Sequence, residues 1–122
     1  MLNLIAVFIG GGIGASLRYI ITTISNKLFG MALWGTFISN IAGCFLIGCI
    51  MGYTLKNAQN ISPALKLFLT VGFLGGLTTF STFSCESLTF LKDGKILQGI
   101  VYITLSLIIG ITATYAGFIL SK

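Results

Sequence analysis

Apolar residues fill four runs along the chain, Leu4–Ile24, Leu33–Leu55, Leu65–Phe90 and Ile96–Leu120, and polar residues gather in the short gaps between them. Each run reaches the roughly 20 residues that a helix needs to cross a bilayer. The pattern therefore predicts an all-α membrane protein, with four transmembrane helices forming a single domain over residues 1–122. The gaps are Ser25–Ala32 with Lys27, the Asn-, Gln- and Ser-bearing stretch Lys56–Pro63, and a tight turn at Leu91–Lys95. They leave no room for a soluble domain. The first run has no basic segment before it and is too long for the apolar part of a signal peptide, so it reads as a span.

The third run breaks the aliphatic pattern. Its centre reads Gly72-Phe73-Leu74-Gly75-Gly76-Leu77-Thr78-Thr79-Phe80-Ser81-Thr82-Phe83-Ser84, glycines followed by hydroxyls interleaved with two phenylalanines. Glycine pairs and clustered Ser/Thr are where a membrane helix bends or opens. Non-helical backbone at membrane depth survives only when protein covers it or it lines a wet cavity. A break in mid-span, beside a site for an ion or small solute, is the expectation.

Composition and charge sharpen this picture. Only 7% of residues are charged, against roughly a quarter in a soluble domain. The acids are Glu86 and Asp93, and there is no histidine. Cys44, Cys49 and Cys85 fall inside the spans without CxxC spacing, which marks them as packing residues and argues against a metal cluster. No nucleophile–base pair points to an enzyme, and nothing points to nucleic acid. Lysines divide almost evenly between the two faces that four crossings define: Lys56, Lys66 and Lys122 on one, and Lys27, Lys92 and Lys95 on the other, with Arg18 leaning toward the second. The charge rule that orients membrane proteins gives little direction here. Either another feature sets the topology, or the chain inserts both ways and two opposed copies pair as an antiparallel dimer.

Small residues recur at helical spacing: Gly10 and Gly14, then Gly35, Ser39 and Gly43, then Gly48 and Gly52, and in the last run Ser106, Gly110 and Thr114. Such rows let backbones approach closely in lipid. They predict a tight bundle and carry no chemistry themselves. The functional candidates are the polar residues within spans. Arg18 either snorkels to an interface, faces a polar vestibule or satisfies carbonyls. Asn40 either bonds a neighbouring helix or faces a solute path, where its amide would donate to an anion. Thr78, Thr82 and Glu86 are spaced i, i+4, i+8 and so share one helix face, and Phe80 and Phe83, spaced i, i+3, share another.

Three blocks together, Gly12-x-Gly-Ala-xx-Arg-Tyr, Gly35-Thr-xxx-Asn-xx-Gly and Gly72-Phe-x-Gly-Gly-Leu-Thr-Thr-Phe-Ser-Thr-Phe, resemble the CrcB/Fluc family of fluoride channels. The resemblance extends over the whole chain, including its length and four-span layout. It implies an antiparallel, dual-topology dimer, of identical chains or with a paralogue, in the inner (plasma) membrane. Such dimers let fluoride leave the cell passively and relieve its toxicity. It further implies a third helix broken mid-membrane and a structural sodium ion held by the main-chain carbonyls of Gly75 and Thr78 from both copies. Phe80 and Phe83 would line the fluoride path, with Asn40, Ser81 and Thr82 donating to the ion. Tyr102, Ser106 and Thr114 are further pore candidates from the fourth span, with Arg18 and Glu86 as polar vestibule residues.

The chemistry fits that assignment. Fluoride is strongly hydrated, so a pore must replace lost water with donors, and hydroxyls, amides and the electropositive edges of aromatic rings can do so. Many weak donors allow the ion both to enter and to leave. A small proton-coupled multidrug exporter is the alternative of the same size, but it wants a carboxylate in the first span, where this chain has Arg18. A non-transporting membrane assembly protein would explain the glycine rows and leave the third run unexplained.

Overall fold

The computed structural model describes residues 1–122, and it is helical throughout with short turns. Four segments are long and apolar enough to cross a membrane: Leu2–Phe29, Leu33–Asn60, Pro63–Lys92 and Ile96–Ser121. The chain is a multi-pass membrane protein. The segments outrun the apolar stretches at most of their ends, because helical hydrogen bonding continues through polar residues such as Asn26, Lys27 and Asn57.

Helix α1 (Leu2–Phe29) ends where Gly30 turns left-handed at φ 69° and donates its N–H to the Asn26 carbonyl, with Lys27 in the last turn. That is the cap glycine makes without a Cβ penalty, and the lysine complements the negative end of the helix dipole. Helix α2 (Leu33–Asn57) runs into a single 3-10 turn, Ala58–Asn60. Ser62 then caps α3 (Pro63–Leu67) by accepting from the Leu65 N–H, and Pro63 occupies the first helical turn, where its missing donor costs nothing. The third span continues as a π-helical stretch, Phe68–Leu74, and a short α4 (Gly75–Leu77). Thr78 and Thr79 are extended, and α5 (Phe80–Lys92) follows. A turn through Gly94 at φ 72° leads into α6 (Ile96–Ser121).

The bundle is built on small residues. Its buried large apolar side chains are only Leu74, Leu77 and Tyr102, while long aliphatics cover the outside. In lipid, where burying leucine gains little, helices associate through close backbone approach and polar contacts. Helix α2 packs chiefly on α6, and α1 on the first half of the third span. At Gly14 an added Cβ would strike the Phe73 carbonyl, at Gly48 the Thr114 carbonyl, and at Gly117 the Phe45 carbonyl. Gly35 lies against Thr22 of α1, and Gly43 against the Thr78 methyl. The glycine rows read from the sequence are therefore the seams of the bundle.

Two details of the third span differ from the sequence reading. Gly75 is ordinary right-handed helix at φ −62°, ψ −35°, and the extended residues are the threonines that follow it. Being β-branched, they suit extended backbone. As a result Thr78 does not share a helix face with Thr82 and Glu86. It belongs to the segment before the interruption, its hydroxyl donating back to the Leu74 carbonyl at 2.9 Å.

Candidate functional site

The two extended residues would strand backbone groups inside the bundle, where an unpaired amide is costly. The Thr78 N–H still reaches the Leu74 carbonyl at 3.0 Å. Thr79, 9% exposed, is held at both ends by Asn40 of α2: its N–H donates to Asn40 Oδ1 at 2.7 Å, and its carbonyl accepts from Asn40 Nδ2 at 3.2 Å. The Thr79 side chain then caps α5. Its Oγ1 accepts from the Thr82 N–H at 3.2 Å and donates to Thr82 Oγ1 at 3.0 Å, and the Ser81 hydroxyl lies 3.3 Å away.

These bonds redirect two donors. An unbroken helix would pair the Gly75 carbonyl with the Thr79 N–H, and the Thr78 carbonyl with the Thr82 N–H. Here the first N–H goes to Asn40 and the second to the Thr79 hydroxyl, so both carbonyls lose their helical partners. The Gly76 carbonyl between them accepts from Arg18 Nε at 3.0 Å. Of the roles open to Arg18, the structure uses the one that satisfies a carbonyl, within a polar recess.

Glu86, one turn and a half along α5, is held by two hydroxyls. Thr36 of α2, 2% exposed, donates to Oε1 at 2.8 Å, and Tyr102 of α6 donates to Oε2 at 2.7 Å. The Tyr102 ring also packs on Phe83 with centroids 5.3 Å apart, and Phe83 lies 6.0 Å from Phe80. The carboxylate thus ties α5 to both α2 and α6, and the aromatic row runs along the same side.

Two cavities flank the interruption. One, of about 440 Å³, is lined by Asn40, Gly75, Thr78, Thr79, Phe80, Phe83 and Ser106 among others. The Ser106 hydroxyl is enclosed there without a partner. The other, of about 290 Å³, is lined by Arg18, Thr36, Thr79, Thr82 and Glu86 with apolar neighbours. Thr79 borders both. Phe80 is 78% exposed on the open side of the first cavity.

Most of the residues singled out from the sequence come together around this feature. Asn40, Gly75, Thr78, Phe80, Phe83 and Ser106 share one cavity, and Arg18, Thr82 and Glu86 the other. Ser81 is exposed beside Thr79, and Tyr102 stands behind Phe83. Thr114 lies apart: its hydroxyl donates to the Gly110 carbonyl, and its own carbonyl backs Gly48. Two residues that the sequence reading passed over are central. Thr79 could have been found from its place before Phe80-Ser81-Thr82, the position of an N-cap with a donor three residues on. Thr36 sits one helical turn before Asn40, on the same face of α2.

Four apolar crossings, a bundle seamed by glycine and a polar interruption flanked by two cavities define a membrane protein built around an ion or solute path. The chain belongs to the CrcB family: residues 5–118 match the family described as CrcB-like protein, Camphor Resistance (CrcB). The resemblance read from the three sequence blocks is borne out. Among similar proteins, one named fluoride-specific ion channel FluC from Flavobacterium psychrophilum is 43% identical, covering 100% of this chain and 98% of its own. Proteins of the same name from Phocaeicola vulgatus, 43% identical over 100% of both chains, and from Clostridium perfringens, 49% identical over 88% of this chain and 84% of its own, agree with it. Ion channels are not enzymes, and the family is of that class.

Proposed function

We propose that the chain is a fluoride-selective passive channel that exports fluoride across the inner (plasma) membrane. The observation that carries the proposal is the cavity bordered by Asn40, Thr79, Phe80, Phe83 and Ser106. Asn40 spends its oxygen and one N–H on Thr79, which leaves its second N–H for an ion. The unpartnered Ser106 hydroxyl and the ring edges of Phe80 and Phe83 add weak donors. No lysine or arginine lines that cavity, so nothing holds an anion too tightly to release it. On the second side, Thr82, Thr36 and Arg18 continue a polar route past Thr79.

The fourth-span residues take graded roles in this reading. Ser106 borders the path, Tyr102 braces Phe83 and Glu86, and Thr114 serves packing. The exporter alternative loses ground, because the only acid within the spans, Glu86, is engaged by two hydroxyls.

We further propose that two copies pair antiparallel, as a homodimer or with a paralogue, and that a structural sodium ion sits between them. The donor set fits a small hard cation. Gly75 and Thr78 offer main-chain oxygens released from helical pairing, and the Gly75 position faces away from the rest of its own chain. The carbonyl end of a half-helix carries partial negative charge, which favours a cation there. A central cation would in turn raise the potential felt by a passing anion.

The test is ion efflux from liposomes holding only the purified chain. A fluoride gradient should collapse and a chloride gradient should persist. Equal fluxes of the two anions, or proton-coupled transport of an organic cation, would overturn the reading.

A further inference from the structure

We infer that Asn40 is a positioning residue for the cation site, and that it acts there through the oxygen of its side chain. The inference rests on the reading of Gly75 and Thr78 as cation ligands. It goes beyond that reading by naming the residue that makes those carbonyls available.

The Gly75 carbonyl lacks its helical donor because the Thr79 N–H, its partner in an unbroken helix, is 2.7 Å from Asn40 Oδ1. The same amide group grips the Thr79 carbonyl from its other end, so Thr79 cannot rotate back toward helical dihedrals without breaking both bonds. With Asn40 shortened to alanine, the Thr79 N–H would be left in the bundle without an acceptor. The nearest remedy is the Gly75 carbonyl, which closing the helix by one turn would supply. That closure takes away one oxygen from the cation. Helix α2 is well placed to impose the opening. Gly43, one turn below Asn40, brings α2 against the Thr78 methyl, and Thr36, one turn above, anchors α5 through Glu86. Asn40 therefore works on both sides of the interruption: its remaining N–H faces the cavity with Phe80 and Phe83, and its oxygen fixes the backbone that faces the cation.

The two roles separate by substitution. Asn40→Asp keeps an acceptor for the Thr79 N–H and loses the donor. Asn40→Ala loses both. Phe83→Ile alters the cavity and removes neither of the two hydrogen bonds of this clamp.

The experiment is thermal dissociation of the purified dimer in detergent. It is titrated with sodium chloride against N-methylglucamine chloride, with fluoride flux measured in parallel. In Asn40→Ala the sodium concentration for half-maximal protection should rise about fivefold to tenfold, the effect of one lost hydrogen bond. Asn40→Asp should require no more sodium than the parent while conducting poorly. Phe83→Ile should keep the parent's sodium response with reduced flux. Should Asn40→Ala fail to assemble, Asn40→Ser, too short to reach Thr79, takes its place with the same expected shift. A sodium response in Asn40→Ala equal to the parent's overturns the proposal, and so does an equal loss in Asn40→Asp and Asn40→Ala. A parent whose stability ignores sodium overturns the cation reading itself, and the proposal with it; that result is distinct, because it appears before any substitution is made.

Discussion

Gly75→Ala separates the chain's own fold from the pairing of two chains. Gly75 is right-handed helix, and a Cβ there meets no atom of the chain within 4 Å. Within one copy the substitution is sterically free and gains helix propensity of about 1 kcal/mol. If two copies cross at this face, each brings a methyl group into a close backbone contact. Overpacking costs roughly 1–3 kcal/mol per site, and twofold symmetry doubles it to about 2–6 kcal/mol. At about 1.4 kcal/mol per decade, the dimer dissociation constant should rise by roughly thirtyfold to twenty-thousandfold. The assay is the dimer fraction on dilution into lipid, read by energy transfer between labelled copies, with fluoride flux per chain alongside. Gly14→Ala is the contrasting control. Its Cβ would strike the Phe73 carbonyl and lie 2.9 Å from the Leu77 nitrogen, so it should weaken the packing of the single chain. A Gly75→Ala protein that dimerises and conducts like the parent would refute both the crossing and the cation site at this glycine.

Phe80→Ile and Phe83→Ile should each reduce fluoride flux in liposomes sharply while leaving the dimer intact, since both keep an apolar side chain of similar bulk and remove only the ring edge; parental conduction would make the rings packing residues. Thr36→Val and Tyr102→Phe should each lower the melting temperature, by the loss of about 1 kcal/mol. The double substitution should cost more than the sum, because Glu86 then loses both donors, and strict additivity would argue against a shared carboxylate. Single cysteines placed in the Lys56–Pro63 loop, in a background without Cys44, Cys49 and Cys85, should label from both sides of the membrane; labelling from one side alone would reject dual insertion.

The four crossings were legible because lipid imposes a coarse rule on length and polarity, and every span obeys it. The glycine seams were legible for a related reason: close backbone approach in lipid demands small residues at helical spacing. The neighbourhood of the site was legible too, since charged and amide residues deep inside the spans, such as Arg18, Asn40 and Glu86, are few. What the sequence hid was the exact place where the helix opens. Gly75-Gly76 is the conspicuous pair, yet both glycines serve other ends: Gly76 packs on the Gly11 carbonyl of α1, and Gly75 faces out. The opening falls at two threonines, because an acceptor and a donor wait for Thr79 on another helix. That contact joins residues 39 apart in sequence. No local pattern announces it. The same distance hid the pairing of Thr36 with Glu86, 50 residues apart, although each had a recognisable place on its own helix face.

On the proposed reading, the interruption lets one short stretch serve ions of both signs. Opening a helix at membrane depth creates two ends: carbonyls without donors on the N-terminal half, and amides without acceptors on the C-terminal half. Some must be satisfied by protein for the fold to survive, and the chain does this selectively. Arg18 takes the Gly76 carbonyl, Asn40 takes both groups of Thr79, and the Thr79 hydroxyl takes the Thr82 amide. The carbonyls of Gly75 and Thr78 are among those whose helical donors have been drawn away, each to a side-chain oxygen. On the proposed reading those two oxygens face a cation between the copies, while the hydroxyls and ring edges on the Phe80 side face the anion. A chain without Arg18 would have to cover the Gly76 carbonyl by other means, and the cheapest is to close the helix, which would abolish both surfaces at once. The polar residues around the opening are therefore as necessary to the geometry as the threonines that form it: Arg18 of α1 and Asn40 of α2 stand opposite residues 76–82 and hold the backbone there.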